Sequence, residues 1–265
     1  MKGVMIVLVS VQCVLIRGEC SGTVARAAGM ANAYVAVAGD VLTLFHNVGG
    51  LSCLSKLQAG ISYTPGLYNL SELSSASAAV GVPTPAGSFG CAVRKYGCTL
   101  YNEVTLGVSY ASLVSDFHFG VNCWYHNIHI TGYGSAGTII LDAGFLVGVL
   151  PELDIGLTLR NINGSTIGRA REKLPHTIGS GISYRPVKNL TIAVDLEKET
   201  MFPAAFRCGI EYFVVNMCAL RAGISNESAH YSGGIGIRAS LFQFDYGVTV
   251  HRSLGLTHIV SITLL

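Results

Sequence analysis

Few residues in this chain carry charge: Asp, Glu, Lys and Arg make up 12% of 265 residues, where ordinary globular domains use about a quarter. A surface in water needs many such residues and a surface in lipid needs almost none, so the shortage points away from a soluble domain. The formal net charge is +2, and no run of Lys and Arg appears. That excludes the clustered cations which nucleic-acid phosphates demand. Long apolar runs are also scarce. Beyond the N-terminus no segment offers the roughly 18 uncharged apolar residues of a spanning helix, because Asp142 and Asp154 interrupt the richest region. A helical membrane protein is therefore not expected. The eight cysteines contain no C-x-x-C pair, which argues against a zinc or thioredoxin-like site.

What the chain does have is glycine, 32 residues of it, and 50% hydrophobic residues. The hydrophobics alternate. Phe117, Phe119, Val121, Cys123 and Tyr125 alternate with His118, Gly120 and Asn122; Phe242, Phe244, Tyr246, Val248 and Val250 alternate with Gln243, Asp245, Gly247 and Thr249. Such dyads place apolar side chains on one face of a strand. The same pattern recurs from Leu57 to Leu265 in segments of about 9–11 residues, the length of a tilted strand crossing an outer membrane. We count about 14 strands. All seven prolines are expected between them, where no ladder N–H is needed. Connections around Gly66–Ser75, Asn127–Gly137 and Ile162–Pro175 are long, while those at Pro83–Pro85, Leu150–Glu152, Pro186–Lys188 and Val215–Asn216 are tight. This asymmetry between outer loops and inner turns is expected to put both chain termini on the periplasmic side.

Within the strands the charges oppose the apolar phase. Asp195, Glu197, Arg207, Glu211, Arg221, Arg238 and Asp245 are expected to point into a lumen as a ladder of acids and bases, because a cation facing lipid at mid-membrane costs roughly 2–4 kcal/mol. Ahead of the strands lies a different stretch, Thr23–Leu54, with small residues in a short helical run, a single acid at Asp40 and a glycine turn. Before that, Lys2, the apolar run from Val4 to Ile16, Arg17 and the small residues near Gly18–Gly22 form a signal-peptide profile. A lipid anchor at Cys20 is disfavoured by Glu19 and Arg17.

The motifs in the N-terminal stretch run Ala25-Arg26-Ala27-Ala28-Gly29-Met30, then Ala33-Tyr34-Val35-Ala36-Val37-Ala38-Gly39-Asp40, then Asn47-Val48-Gly49-Gly50-Leu51. Near the other end come Gly233-Gly234-Ile235-Gly236-Ile237-Arg238, Phe244-Asp245-Tyr246 and Leu254-Gly255-Leu256-Thr257-His258-Ile259-Val260-Ser261-Ile262. Together they resemble the PorV/PorQ-type outer-membrane proteins, relatives of the FadL long-chain fatty-acid channels. The pattern departs from that family where Val48-Gly49 replaces a Pro-Ala pair. The resemblance implies a signal peptide at 1–20, a hatch at 21–55 folded inside the lumen, and an all-β, antiparallel transmembrane barrel over 56–265. It implies a bacterial outer-membrane location, insertion by the barrel-assembly machinery, and uptake of long-chain fatty acids or another small hydrophobic solute. Arg26, Gly29, Met30, Asp40, Asn47, Gly49 and Gly50 would set the gate, with Asp40 and Asn47 bonded to the barrel wall. The alternative is a PorV-like scaffold that shuttles secreted cargo proteins.

No catalytic set is expected, since no Ser, His and Asp share a nucleophile-elbow context. No metal or other cofactor is expected either. His118, His126 and His129 are the one histidine cluster, placed by the pattern at a strand end and loop without a carboxylate. Gly234-Ile235-Gly236-Ile237-Arg238-Ala239 imitates a dinucleotide fingerprint, but no helix follows it. Cys91 and Cys98 are candidates to bridge a short loop. Cys208 and Cys218 are expected to be out of register and to act as small hydrophobes.

Overall fold

A computed structural model describes residues 24–227 and 229–265. The expected signal peptide, with Cys13 and Cys20, lies outside the described residues. Fourteen strands close into one antiparallel barrel: β1 (Gln58–Thr64), β2 (Ser75–Thr84), β3 (Gly87–Gly97), β4 (Tyr101–Val114), β5 (Phe117–Ile130), β6 (Gly134–Leu150), β7 (Leu153–Arg160), β10 (Thr177–Val187), β11 (Leu190–Glu199), β12 (Ala205–Val215), β13 (Cys218–Ser225), β14 (Ala229–Ala239), β15 (Phe242–His251) and β16 (Gly255–Leu264). β1 closes on β16 from Ala59↔Leu264 to Tyr63↔Val260. Two further strands, β8 (Thr166–Ile167) and β9 (Glu172–Lys173), form a small hairpin in the longest connection.

The two ends of the barrel differ as the spacing predicts. Turns at 85–86, 115–116, 151–152, 188–189, 216–217 and 240–241 hold two residues each, and we call this the short-turn end. Residues 65–74 and 161–176 make the long loops at the opposite end. Some boundaries differ from expectation. Pro83 and Pro186 lie inside strands, Pro83 paired to Ser88 beside a turn and Pro186 in the irregularity between Tyr184 and Val187. Both sit at ladder ends, where a missing N–H costs little. The loop expected at 127–137 is only 131–133, because β5 and β6 run on beyond the apolar band. All three clustered histidines therefore belong to one strand.

The outer face is a band of exposed Ile, Val, Leu, Phe and Tyr, among them Ile61, Val121, Tyr125, Phe206 and Phe244. Among the described barrel strands, the only Asp, Glu, Lys or Arg in the outward phase are Lys95 and Lys198, both close to the long-loop ends of β3 and β11. A charge there reaches the interface, where its cost falls to about 0–1 kcal/mol.

Residues 24–54 are not in the wall. They fold inside it as helix α1 (Ala25–Gly29) and two 3₁₀ turns, Val41–Phe45 and Val48–Cys53. The side chains of Asp40 and Asn47 cap the two turns by accepting the N–H groups of Leu42 and Gly49, at 3.0 Å each. Tyr34, Met30, Leu42, Leu44 and Leu51 are fully buried, and residues 24–54 together supply most of the main hydrophobic core. This segment reaches every strand of the wall. α1 packs on β13–β16, and the two 3₁₀ turns pack on β1–β2 and on β3–β6. Val35 meets Gly156 of β7 and Gly181 of β10, while Asp195 of β11 and Glu211 of β12 bond to it directly. A barrel of this size leaves a lumen that something must fill, and here the chain's own N-terminal region does so.

Candidate functional site in the lumen

On the short-turn side the lumen is organised by buried ions. Arg26 projects from α1 and makes a two-pronged contact with Glu211, Nε to Oε2 at 2.9 Å and Nη2 to Oε1 at 2.7 Å. Its Nη1 donates to Asp40 Oδ2 at 2.8 Å, and the Tyr34 hydroxyl donates to the same oxygen at 3.1 Å. The guanidinium also lies 5.6 Å from the centre of the Tyr34 ring, a cation–π distance. Glu211, only 1% exposed, accepts a second arginine, Arg221 Nε, at 2.6 Å. Arg221 Nη1 is in turn 2.8 Å from Asp245 Oδ1, an ion pair without hydrogen-bond alignment. Beyond it Gln243 donates to Asp245 at 2.8 Å and accepts from Arg238. Burying these charges is tolerable because each finds an opposite partner.

Next to this chain, Asp195 Oδ2 accepts the N–H groups of Tyr34 (2.6 Å) and Val35 (2.8 Å). Arg207 bridges Glu197 at 3.0 Å and Glu227 at 2.6 Å. The expected ladder thus splits into a buried network of Glu211, Arg221 and Asp245, a second group of Glu197 and Arg207, and Asp195 acting on backbone. Arg238 is exposed at the short-turn rim, over the Phe213 ring. One expectation is corrected: Asp40 bonds within its own segment and reaches the wall only through Arg26. Asn47 does bond to the wall. Its Nδ2 donates to the Phe145 carbonyl at 2.9 Å and to the Val35 carbonyl at 2.6 Å. The turn that proline would have stiffened is fixed by this side chain instead.

The other placements concern close approach. A Cβ on Gly49 would stand 3.0 Å from the Gly144 carbonyl, and one on Gly50 would stand 3.0 Å from the Thr43 side chain. Gly29 faces Gly234 and Arg221, and Met30 lies against Gly209 and Gly223. The wall glycines were not singled out by sequence. A Cβ on Gly120 would meet the Val48 carbonyl at 2.7 Å, and one on Gly247 the Ala25 carbonyl at 2.5 Å. They are notches that admit the segment's backbone.

Above the segment, toward the long loops, lies a cavity of about 130 Å³ lined by Phe45, Trp124, Ile128, Ile140, Leu174 and Pro175 on its apolar side and by Arg94, His126, Asp142, Arg160 and Glu197 on its polar side. Phe45 is supplied by the segment and stacks on Trp124 with ring centres 6.0 Å apart. Trp124 Nε1 donates to Asp142 at 2.8 Å. The hairpin connection covers one side, with Ile167 and Leu174 packed on Ile128. It is pinned by Asn161, which donates to the Leu174 carbonyl (2.9 Å) and accepts from Ser165 N–H (2.8 Å). His46, next to Phe45, is buried against Tyr34; burial, followed by the nearby Arg160, pushes its imidazole down to about 3 and keeps it neutral. Sequence reasoning missed this cavity; the one available signal was that Trp124, the sole tryptophan, falls in the inward phase.

The histidines also need correction. His126 does have a carboxylate nearby, Glu103 at 3.6 Å, while His118 faces the short-turn end, 2.7 Å from Ser52 Oγ, and His129 is on the outer face. Among the described residues no three potential ligands gather as a metal site. Cys91, Cys98, Cys208 and Cys218 are free thiols. Cys208 pairs with Ile224 and Cys218 with Val215, so the two cysteines are out of register as expected.

No family model matches the sequence, and no curated protein matches it. Solved structures do. CymD, a monoaromatic hydrocarbon channel, superposes with a TM-score of 0.67 at 10% identity, over 92% of this chain and 98% of the other. TodX, the toluene transporter of P. putida, gives 0.68 at 9% identity over 92% and 99%. A FadL homologue of Pseudomonas aeruginosa gives 0.61 at 9% over 91% and 97%. The fold is that of a FadL-like outer-membrane barrel. The expected FadL-like architecture is thus shared with these structures, while the narrower PorV/PorQ resemblance gains no support from any sequence comparison.

Proposed function

We propose that this chain is an outer-membrane channel for small hydrophobic solutes in which residues 24–54 act as a hatch. The observation that carries this reading is the cavity on the long-loop side, whose lining includes Phe45 of the segment that fills the lumen below it. A solute bound there rests on the element that must move for it to pass. At about 130 Å³ the cavity approaches the size of a roughly 150 Å³ cavity that holds benzene. We therefore favour a solute of about one ring over a long-chain fatty acid. The Arg94 and Arg160 side admits a polar substituent. CymD and TodX, which share the fold, are channels for monoaromatic hydrocarbon and toluene, and this agrees with the size argument.

A scaffold for secreted cargo would need a broad docking surface at the long-loop end. The connections at 98–100, 131–133 and 252–254 have three residues each, which leaves little beyond 65–74 and 161–176. The sole tryptophan makes the channel reading testable. Titrating the purified protein with toluene should shift or quench Trp124 emission, and Ile140→Phe, which fills the cavity, should weaken that response about tenfold. Cells carrying the wild-type barrel should also accumulate labelled single-ring solute faster than cells carrying Ile140→Phe. Equal uptake by the two, with no emission change, would overturn the proposal.

A further inference from the structure

The outer wall holds a second concavity, unrelated to the lumen. Over the arc β14–β15–β16–β1–β2–β3 the lipid-facing surface is indented by a groove of about 740 Å³. Ala76 and Ala78 of β2 contribute small side chains to it, and Val93, Phe244 and Tyr246 contribute large ones. Lys95 also lines it, near the long-loop end of β3. Its position is informative because outward-facing charge is almost absent from this barrel. Lys198, the other outward lysine, donates to the Phe202 carbonyl. Lys95 makes no ion pair among the described residues, and its four-carbon stem is long enough to follow the apolar wall to the headgroup level.

We propose that this groove binds one phosphate-bearing acyl lipid of net negative charge from the leaflet on the long-loop side, with an acyl chain along the groove and the uncompensated phosphate on Lys95 Nζ. Ordinary annular lipid would need neither the indentation nor the cation. The combination supplies both halves of a lipid: apolar volume for the chain, and a positive charge at the depth where a phosphate sits. The proposal does not depend on what the lumen transports.

Native mass spectrometry of the full chain in detergent, offered equal amounts of dioleoylphosphatidylglycerol and dioleoylphosphatidylcholine, provides the test. One phosphatidylglycerol should be retained in several-fold preference. Lys95→Gln should bring that preference close to unity, while Lys198→Gln should leave it unchanged. Ala78→Phe, which fills the groove, should reduce retention of both lipids, with heat-modifiable gel migration reporting that the variant is folded. A preference that survives Lys95→Gln overturns the proposal, as does one lost equally with Lys198→Gln. Capture of a second copy of the chain in place of lipid, abolished by Ala78→Phe, would also overturn it.

Discussion

The wall grips the lumenal segment by two different means. Along β11–β15 the charged ties dominate: Arg26 to Glu211, with Arg221 and Asp245 behind it, and Asp195 to the Tyr34 and Val35 N–H groups, beside one neutral side chain, Ser232, which accepts from Ala31 N–H and donates to the Gly29 carbonyl. Along β1–β6 neutral side chains make the hydrogen bonds: Gln58 accepts from Val41 N–H, Asn122 donates to the Leu44 carbonyl, and Asn47 of the segment donates to the Phe145 carbonyl of the wall. The rest of that arc is fit, with Leu42, Leu51 and Leu54 set against Gly60, Gly90 and Gly81. An ionic tie fixes a direction and fails badly when halved, because the remaining charge stays buried. A fitted contact fails in proportion to the volume that is wrong.

The largest test of that difference removes the central cation. Arg26→Met keeps most of the side-chain volume but leaves Glu211 sharing only Arg221, and Asp40 without its cation. Breaking a buried pair in this way costs about 3–5 kcal/mol, and we expect a loss of that order in denaturant unfolding from liposomes. Arg26→Met with Glu211→Gln should recover part of it. If the single variant loses under about 1 kcal/mol, the ionic arc is not what holds the segment, since that is the range of exposed pairs.

These two arcs were unequally legible in the sequence. Charged residues in strands announce their direction, because lipid forbids the other phase; Glu211, Arg221 and Asp245 are placed inside by the alternation alone. Fourteen strands could be counted for the same reason, as one face of each must be apolar. Where that constraint lapses, so does the reading. Residues 134–138 of β6 lie beyond the apolar band, carry no alternation, and read as loop. Glycine is silent in a different way. Gly144 and Gly120 serve by lacking a side chain, and nothing local distinguishes them from glycines such as Gly132, whose Cβ would meet nothing within 4 Å. The cavity was hidden because its lining comes from strands as distant in sequence as β3 and β11, and their convergence depends on barrel closure.

The fitted arc can be tested at Gly144. A Cβ there would stand 2.9 Å from the Gly49 and Val48 nitrogens and closer still to Asn47 Oδ1. Gly144→Ala must therefore displace the Asn47 turn, and overpacking of this kind costs about 1–3 kcal/mol. We expect a loss near the middle of that range, together with faster hydrogen exchange at the Gly49 N–H. Unchanged exchange would mean that the turn is held by something other than its seat on β6.

The smallest expected effect is the most discriminating. Arg26 and Gly144 share no partner: one acts on Glu211, Asp40 and Tyr34, the other on Asn47, Val48 and Gly49. Changes at sites without shared partners usually add to within about 0.5 kcal/mol. The double variant Arg26→Met Gly144→Ala should then lose the sum of the two single losses, leaving a coupling below that figure. A coupling above about 1 kcal/mol, with the double variant no worse than Arg26→Met alone, would say that the first change already frees the whole segment. In that case the two arcs form a single latch, and loss of the Arg26–Glu211 tie would be enough to open it.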